Sequence, residues 1–434
     1  FDEIHYINDP DRGHVWEKSI MYLPKNVSYL GLSATINKPE KLCEWNENKL
    51  FGANRKEMYL CISKHRNVPL YHYTFTSLPD SHLDRVENKF KDLFNKFTNK
   101  PVLLKKQDQQ FNEKTYYDLC KILKYNYEHK IQPNQTFIFN KMIEYLNKNN
   151  LLPALTFIFS RKQCYVWANK IEKSLFEENS KIPSMIEKKA TQILISKLTN
   201  WKEYTILPEF KNIIRLLQKG IAVHHSGVTP IFREMIELLY NDGYIRLLIA
   251  TETFAVGINM GIRSVVFTGL TKYDGRGFRF LHSHEYGQAS GRAGRRGKDT
   301  KGYIFHLNNL FDTKNNNPSF SEYKKMLSCT PQTLVSKLSI DFNLLISLIY
   351  TGHTDYDKFI QNSMLSDEIH SRLERIKKEN ADLKEKVSKK AEGLSHLRTP
   401  RDILKQYHED SSRIPMLKGK KAKNLTRKLS NIKQ

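Results

Sequence analysis

The chain has no disulfide framework, no membrane-length apolar run and few acids for its basic residues. Its five cysteines, Cys43, Cys61, Cys120, Cys164 and Cys329, are odd in number, widely spaced and without a C-x-x-C pair. That spacing argues for reduced thiols in an intracellular compartment, nuclear or cytoplasmic, and against a cysteine-built zinc site. No uninterrupted apolar stretch approaches the ~18 residues needed to span a bilayer, and no charged-then-apolar signal opens the chain. Membrane spanning and secretion are both disfavoured. Acid is scarce as well: 46 Asp+Glu face 70 Lys+Arg among 434 residues, a formal net charge of +24. Such an imbalance implies a polyanionic partner, nucleic acid first. Also missing is any G-x-x-x-x-G-K-[ST] phosphate loop, since Gly419-Lys420-Lys421 has neither the first glycine nor the hydroxyl.

What is present suffices for two to four domains, each able to bury a core. A hydrophobic fraction of 39% with 11% aromatics is too apolar for general disorder. Apolar runs recur between helical stretches, the pattern of parallel α/β units. The strand candidates are Ser28–Leu32, Leu155–Phe159, Gly220–His224, Ile245–Ala250, Ser264–Phe267 and Gly302–His306, with helices expected over Arg161–Lys173 and Pro230–Tyr240. Residues 78–135 are rich in Lys, Asn and Gln and read as a connector with some helix, while Phe176–Phe210 reads as a helical insertion.

After Ser328 the pattern is helical. Leu334, Leu338, Phe342, Leu345 and Leu348 predict an amphipathic face over Pro331–Thr351. Ile369, Leu373, Ile376, Asn380, Leu383 and Val387 follow a 4-3-4-3-4 heptad spacing, read as an intramolecular helical hairpin. Met416–Gln434 holds seven Lys/Arg and no acid, a solvated basic face or a phosphate contact.

Three segments carry chemistry. Asp2-Glu3-Ile4-His5 places an acidic pair as a nucleotide hydrolase needs it, one carboxylate for the Mg²⁺ shell and the next for the attacking water. Ser33-Ala34-Thr35 closes a strand candidate, which by itself is often only a turn. Gln288-Ala289-Ser290-Gly291-Arg292-Ala293-Gly294-Arg295-Arg296-Gly297 interleaves arginines with glycines. Glycines let the backbone approach, and guanidinium forks bind phosphate oxygens two at a time. His224 and His225 are adjacent, so on a strand they point to opposite faces and make a poor metal pair. Asp274-Gly275, flanked by Tyr273, Phe278 and Phe280, signals a β-hairpin.

Together these segments resemble the DExH-box helicases of superfamily two, specifically the Ski-like RNA helicases that work with the exosome. Phe1–Pro24, the LSAT stretch, His65–Tyr73, Pro153–Gln163, Gly220–Gly227, the ATETFAVGINM stretch and Thr271–Gly297 look like that family's text in its usual order, covering roughly Phe1 to Thr351.

The resemblance implies an α/β chain of RecA-like parallel-sheet lobes: a partial first lobe over 1–77, a connector over 78–135 and a complete second lobe over 136–327. The start of a winged-helix region follows over 328–363, then stalk helices and a basic tail over 364–434. The implied activity is ATP-dependent 3′ to 5′ RNA unwinding for decay or processing, with ATP and Mg²⁺, RNA and exosome-type machinery as partners. Asp2 would hold the Mg²⁺ water shell and Glu3 would activate the water; His5 would couple the nucleotide to Gln288, and Arg292 and Arg295 would be arginine fingers. Gly257 and Asn259 would line the nucleotide cleft, Ser33 and Thr35 would couple hydrolysis to strand separation, and Phe159, Ser160, Arg161, His225, Gly227 and Thr251 would face RNA.

The missing phosphate loop, with a start at Phe1 rather than Met, reads as a piece cut from a longer protein, inactive alone. A DNA helicase of the related repair branch and a non-catalytic RNA-binding remnant are the alternatives.

Overall fold

The computed structural model describes residues 1–24, 27–33, 36–47, 57–63, 66–131, 133–255, 260–311, 317–352, 355–395 and 399–433. They form two compact units: Phe1–Tyr6 with Pro24–Leu334, and Ile7–Leu23 with Val335–Gln434.

The first unit is built on a seven-stranded sheet. Its spatial order is Pro101–Lys106, Leu70–Phe75, Gly302–Leu307, Ser264–Phe267, Ala154–Phe157, Leu247–Ala250 and Ile221–His224. All neighbours are parallel except the edge pair Leu70–Phe75 and Pro101–Lys106. The central runs read as predominantly apolar, with Thr156 and Ser264 as buried polar exceptions, because they are buried on both faces. Leu155, Phe157, Leu248, Ala250, Val265 and Phe267 enter one core, and Ala154, Leu247, Ile249 and Val266 the other. Helices Ile182–Lys197, Pro208–Leu217 and Pro230–Asn241 cover the first face, and Gln135–Lys148 and Arg161–Asn169 the second.

Five of the six strand expectations fall on strands of this sheet. Ser28–Leu32 does not. It runs extended against the chain start, with Leu32 N–H donating to Phe1 O at 2.8 Å and Ile4 N–H to Leu32 O at 2.9 Å. Glu3, at φ 53°, turns the backbone out of ladder register, so the pairing stops short of a regular strand. The sheet also crosses the boundaries drawn from sequence. Leu70–Phe75 lies on the near side of residue 77 and Pro101–Lys106 lies inside the 78–135 connector, yet both belong to the same sheet. A third core, with Leu78, Phe94, Phe97, Leu119 and Ile122, underlies residues 78–131.

The second unit is helical. Glu17, in helix Gly13–Met21, is fully buried and accepts from Ser336 Oγ at 2.6 Å and from Met364 N–H at 2.9 Å, satisfying an orphan donor at the start of the Met364–Ser395 helix. The amphipathic face expected over Pro331–Thr351 is displaced. The helix begins only at Phe342, because Asp341 caps it through Leu344 N–H at 2.9 Å. Leu338, Leu344 and Leu348 are buried, while Phe342 is 84% exposed. The heptad residues Ile369, Leu373, Ile376, Leu383 and Val387 lie on the long helix and are exposed, so the expected intramolecular seam is not closed among the described residues. The helical pair that does form is Arg401–Arg413 with Lys420–Lys433.

Candidate functional site

Two groups of the singled-out residues come together in the first unit. The first gathers at the chain start and the Ser283–Ser290 helix. Asp2 Oδ1 accepts from Glu3 N–H at 2.8 Å. His5, 6% exposed, has Nδ1 3.0 Å from Ser33 Oγ and 3.3 Å from Glu3 Oε2, and Nε2 3.3 Å from Gln288 Nε2. Burial lowers the His5 pKa against the opposing pull of Glu3 and Asp2. The ring is therefore neutral near pH 7. Its Nδ1–H faces the oxygens and its Nε2 lone pair faces the Gln288 amide, so a single tautomer serves both sides. Burial also pushes the Arg292 guanidinium down, offset by the nearby Glu3 carboxylate and Tyr6.

The Arg-Gly segment is braced from behind. Arg66 donates through Nη2 to Gly291 O and Ala293 O, both at 2.8 Å, and through Nε to Val68 O at 2.9 Å. Gly294 sits at φ 88°, and a Cβ there would meet Val68 Cγ1 at 2.5 Å. Only glycine fits that passage. Beside it a cavity of about 680 Å³ is lined by Arg246, Arg292, Arg295, Arg296 and Lys298 with no carboxylate among its lining residues. It is a place for anions.

The second group lies at the carboxyl ends of the parallel strands. Phe159 stacks on Phe157 with centroids 6.3 Å apart. Ser160 caps the Arg161–Asn169 helix, accepting from Gln163 N–H at 3.5 Å. Arg161 is exposed. His225 Nδ1 accepts from Gly227 N–H at 3.0 Å, and a Cβ on Gly227 would lie 3.5 Å from Arg161 Cδ. Thr251 follows the neighbouring strand and is 7% exposed. His224 turns the other way, with Nε2 2.8 Å from Glu237 Oε1. Thr35, Gly257 and Asn259 lie outside the described residues.

The passage holding Gln288, Arg292 and Arg295 of the first group and His225, Gly227 and Thr251 of the second matches a known family: residues 177–297 fit the helicase conserved C-terminal domain. Over 376 residues, 84% of the chain, it is 34% identical to the exosome RNA helicase MTR4 of Homo sapiens, and over 402 residues, 89% of the chain, 31% identical to the DExH-box ATP-dependent RNA helicase DExH9 of Arabidopsis thaliana. Superkiller complex protein 2 of Homo sapiens is 31% identical over 368 residues, 80% of the chain. The chain belongs to the Ski-like DExH-box helicases. It spans about a third of the length of these curated relatives, 32%, 37% and 27% respectively.

Two acids outside these motifs also organise the site. Glu285 ties the Thr271–Phe280 hairpin to the Ser283–Ser290 helix. It accepts a fork from Arg279, both bonds 2.8 Å, the His282 N–H at 2.8 Å, and Lys272 at 2.9 Å. Burial alone raises the Glu285 carboxyl, but Arg279, the His282 N–H and Lys272 outweigh it and bring the pKa to about 2. The hairpin aromatics divide: Tyr273 and Phe278 are 58% and 80% exposed, while Phe280 packs on the core. Asp299 is the other missed acid. It binds Arg295, the expected arginine finger, at 2.8 and 2.9 Å. The one available signal was its position four residues after Arg295 in an otherwise basic run.

No helix among the described residues is long and apolar enough to cross a membrane.

Proposed function

We propose that this chain is the nucleotide-closing and strand-gripping part of an ATP-dependent RNA helicase that moves 3′ to 5′ and feeds RNA to decay or processing machinery of the exosome type. The contact that carries the reading is His5 with Gln288. It joins the acidic Asp2-Glu3 segment to the helix leading into Arg292 and Arg295, the carboxylate and cation halves that phosphoryl transfer requires.

Two adjacent carboxylates suit Mg²⁺, which keeps several waters and takes one or two carboxylates plus substrate phosphates. Among the described residues no group of three or more His, Cys, Asp or Glu competes for a metal. When bound, the ion neutralises charge on the phosphates. Asp2 would hold the ion's water shell and Glu3 would orient and deprotonate the attacking water; His5, neutral and bridging Ser33 to Gln288, would report the state of that site to the helix. Arg292, close to Glu3, and Arg295, in the cation-lined cavity, stabilise the developing charge. Phe159, Ser160, Arg161, His225, Gly227 and Thr251 grip the strand backbone without reading bases. Turnover requires a phosphate-binding loop that these residues do not supply.

Glu3→Gln in the full-length protein should lower RNA-stimulated ATP hydrolysis by about 10³-fold or more while RNA affinity stays within about twofold, since only the water-activating step is lost. A near-normal rate removes Glu3 from the site. DNA that stimulates more strongly than RNA overturns the RNA assignment.

A further inference from the structure

Arg295 does not enter the cation-lined cavity unsupported. Its stem crosses Gly261, where a Cβ would lie 3.3 Å from Arg295 Cδ and 3.4 Å from Cγ. Tyr240 Oη donates to Gly261 O at 2.9 Å and fixes that floor. Asp299 then takes the guanidinium from the side. Arg295 Nε donates to Oδ2 at 2.8 Å, Nη2 to Oδ1 at 2.9 Å, and the Arg295 backbone N–H also reaches Oδ2 at 2.9 Å. The Asp299 side chain is 1% exposed and the Arg295 side chain 24%. Arg295 lines the cavity and Asp299 does not.

A guanidinium held through Nε and one Nη keeps its other Nη, with two further N–H groups, for a second acceptor. The buried carboxylate also fixes a long side chain that would otherwise sample many rotamers, so the orientation is set before a phosphate arrives. Arg263 Nε stands 3.5 Å from Asp299 Oδ1, a second cation beside the same carboxylate.

We propose that Asp299 is a positioning residue for ATP hydrolysis, acting through Arg295 by presenting the free edge of its guanidinium to the phosphates. The proposal rests on the reading of Arg295 as an arginine finger.

The test is a double-mutant cycle on RNA-stimulated ATPase in the full-length protein, with Arg295→Ala, Asp299→Ala, Asp299→Asn and Arg295→Ala/Asp299→Ala. Arg295→Ala should cost about 10³-fold or more in kcat. Asp299→Ala should cost at least about 10-fold in kcat with KM for ATP changed by less than about threefold, because the loss falls on the transition state. Asp299→Asn, which keeps one acceptor and the shape, should recover part of that loss. The double variant should be no slower than Arg295→Ala alone. Losses that multiply in the double variant, or a fall in melting temperature that tracks the lost rate, reduce Asp299 to a structural ion pair and overturn the proposal. So does a normal rate in Asp299→Ala while Arg295→Ala is slow. If Arg295→Ala itself turns over normally, the arginine-finger reading falls and takes the proposal with it.

Discussion

At the scale of single residues, acids matter out of proportion to their number. Glu285 is bonded on both oxygens to Arg279 while Lys272 and the His282 N–H share the same carboxylate. Its folded pKa of about 2 lies below the ordinary 4.5. Folding therefore favours the ionised form, the stabilisation is complete above about pH 4.5, and it is lost as pH falls towards 2. Glu285→Gln should destabilise the protein by about 2 to 4 kcal/mol at pH 7, since it removes the buried charge that Arg279 and Lys272 share and leaves them only the more exposed Asp274 and Glu252. The urea midpoint of the variant should also fall less steeply than that of the parent between pH 4.5 and 2. Parallel curves would mean that Glu285 titrates alike folded and unfolded. Neither Glu285 nor Asp299 was legible as a partner in the sequence. A carboxylate's mate is set by a hairpin or a tight loop, not by a period, whereas Glu3, His5, Gln288 and Arg292 stood out because their order and spacing form a recognisable text.

At the scale of elements, legibility followed burial. The central strands declared themselves because both faces are buried and nearly every residue is apolar, Thr156 and Ser264 being the buried polar exceptions. Leu70–Phe75 and Pro101–Lys106 did not, because Tyr71, Tyr73, Lys105 and Lys106 give that antiparallel edge a mixed, half-exposed pattern. The helix after Asp341 was read out of phase since its cap, not its leucines, sets where it starts. The Ser283–Ser290 helix shows a further device: Tyr286 Oη lies between His72 Nδ1 and His306 Nε2, and His306 Nδ1 reaches Tyr323 Oη, all four groups buried. This chain pins the Gln288-bearing helix to two strands. Burial lowers the His306 pKa to about 3 and holds His72 well below its ordinary value. Both rings fold neutral, so their contribution is complete above about pH 6.5 and is lost as pH falls, the unfolded chain taking up the protons. Stability should drop by up to about 1.4 kcal/mol per pH unit for each ring below pH 6.5. His306→Gln should remove one ring's share of the slope, read as a flatter urea-midpoint curve between pH 6.5 and 4.5. An unchanged slope would show that His306 is protonated in the folded protein.

At the scale of the whole molecule, the +24 is distributed, and only part of it is paired. Lys272 is committed to Glu285 and Glu252, Arg279 to Glu285 and Asp274, and Arg295 to Asp299. Arg161 makes no ion pair among those described and stands exposed beside Gly227 and the His225 ring at the carboxyl ends of the strands. Basic groups in that position act on a strand through its phosphates, by releasing condensed counterions, with a slope of about −0.7 in log K against log salt for each phosphate neutralised on a single strand. Five such contacts would give a slope near −3.5, a loss of about 10²-fold in affinity between 50 and 200 mM salt. Arg161→Gln should then weaken binding of the full-length protein to labelled single-stranded RNA and reduce the slope by about 0.7. The effect should be equal for oligouridylate and a mixed sequence, because a phosphate contact carries no base information. Measured by fluorescence anisotropy over that salt range, an unchanged slope would take Arg161 off the strand path. A loss confined to one sequence would instead make it a reader of bases.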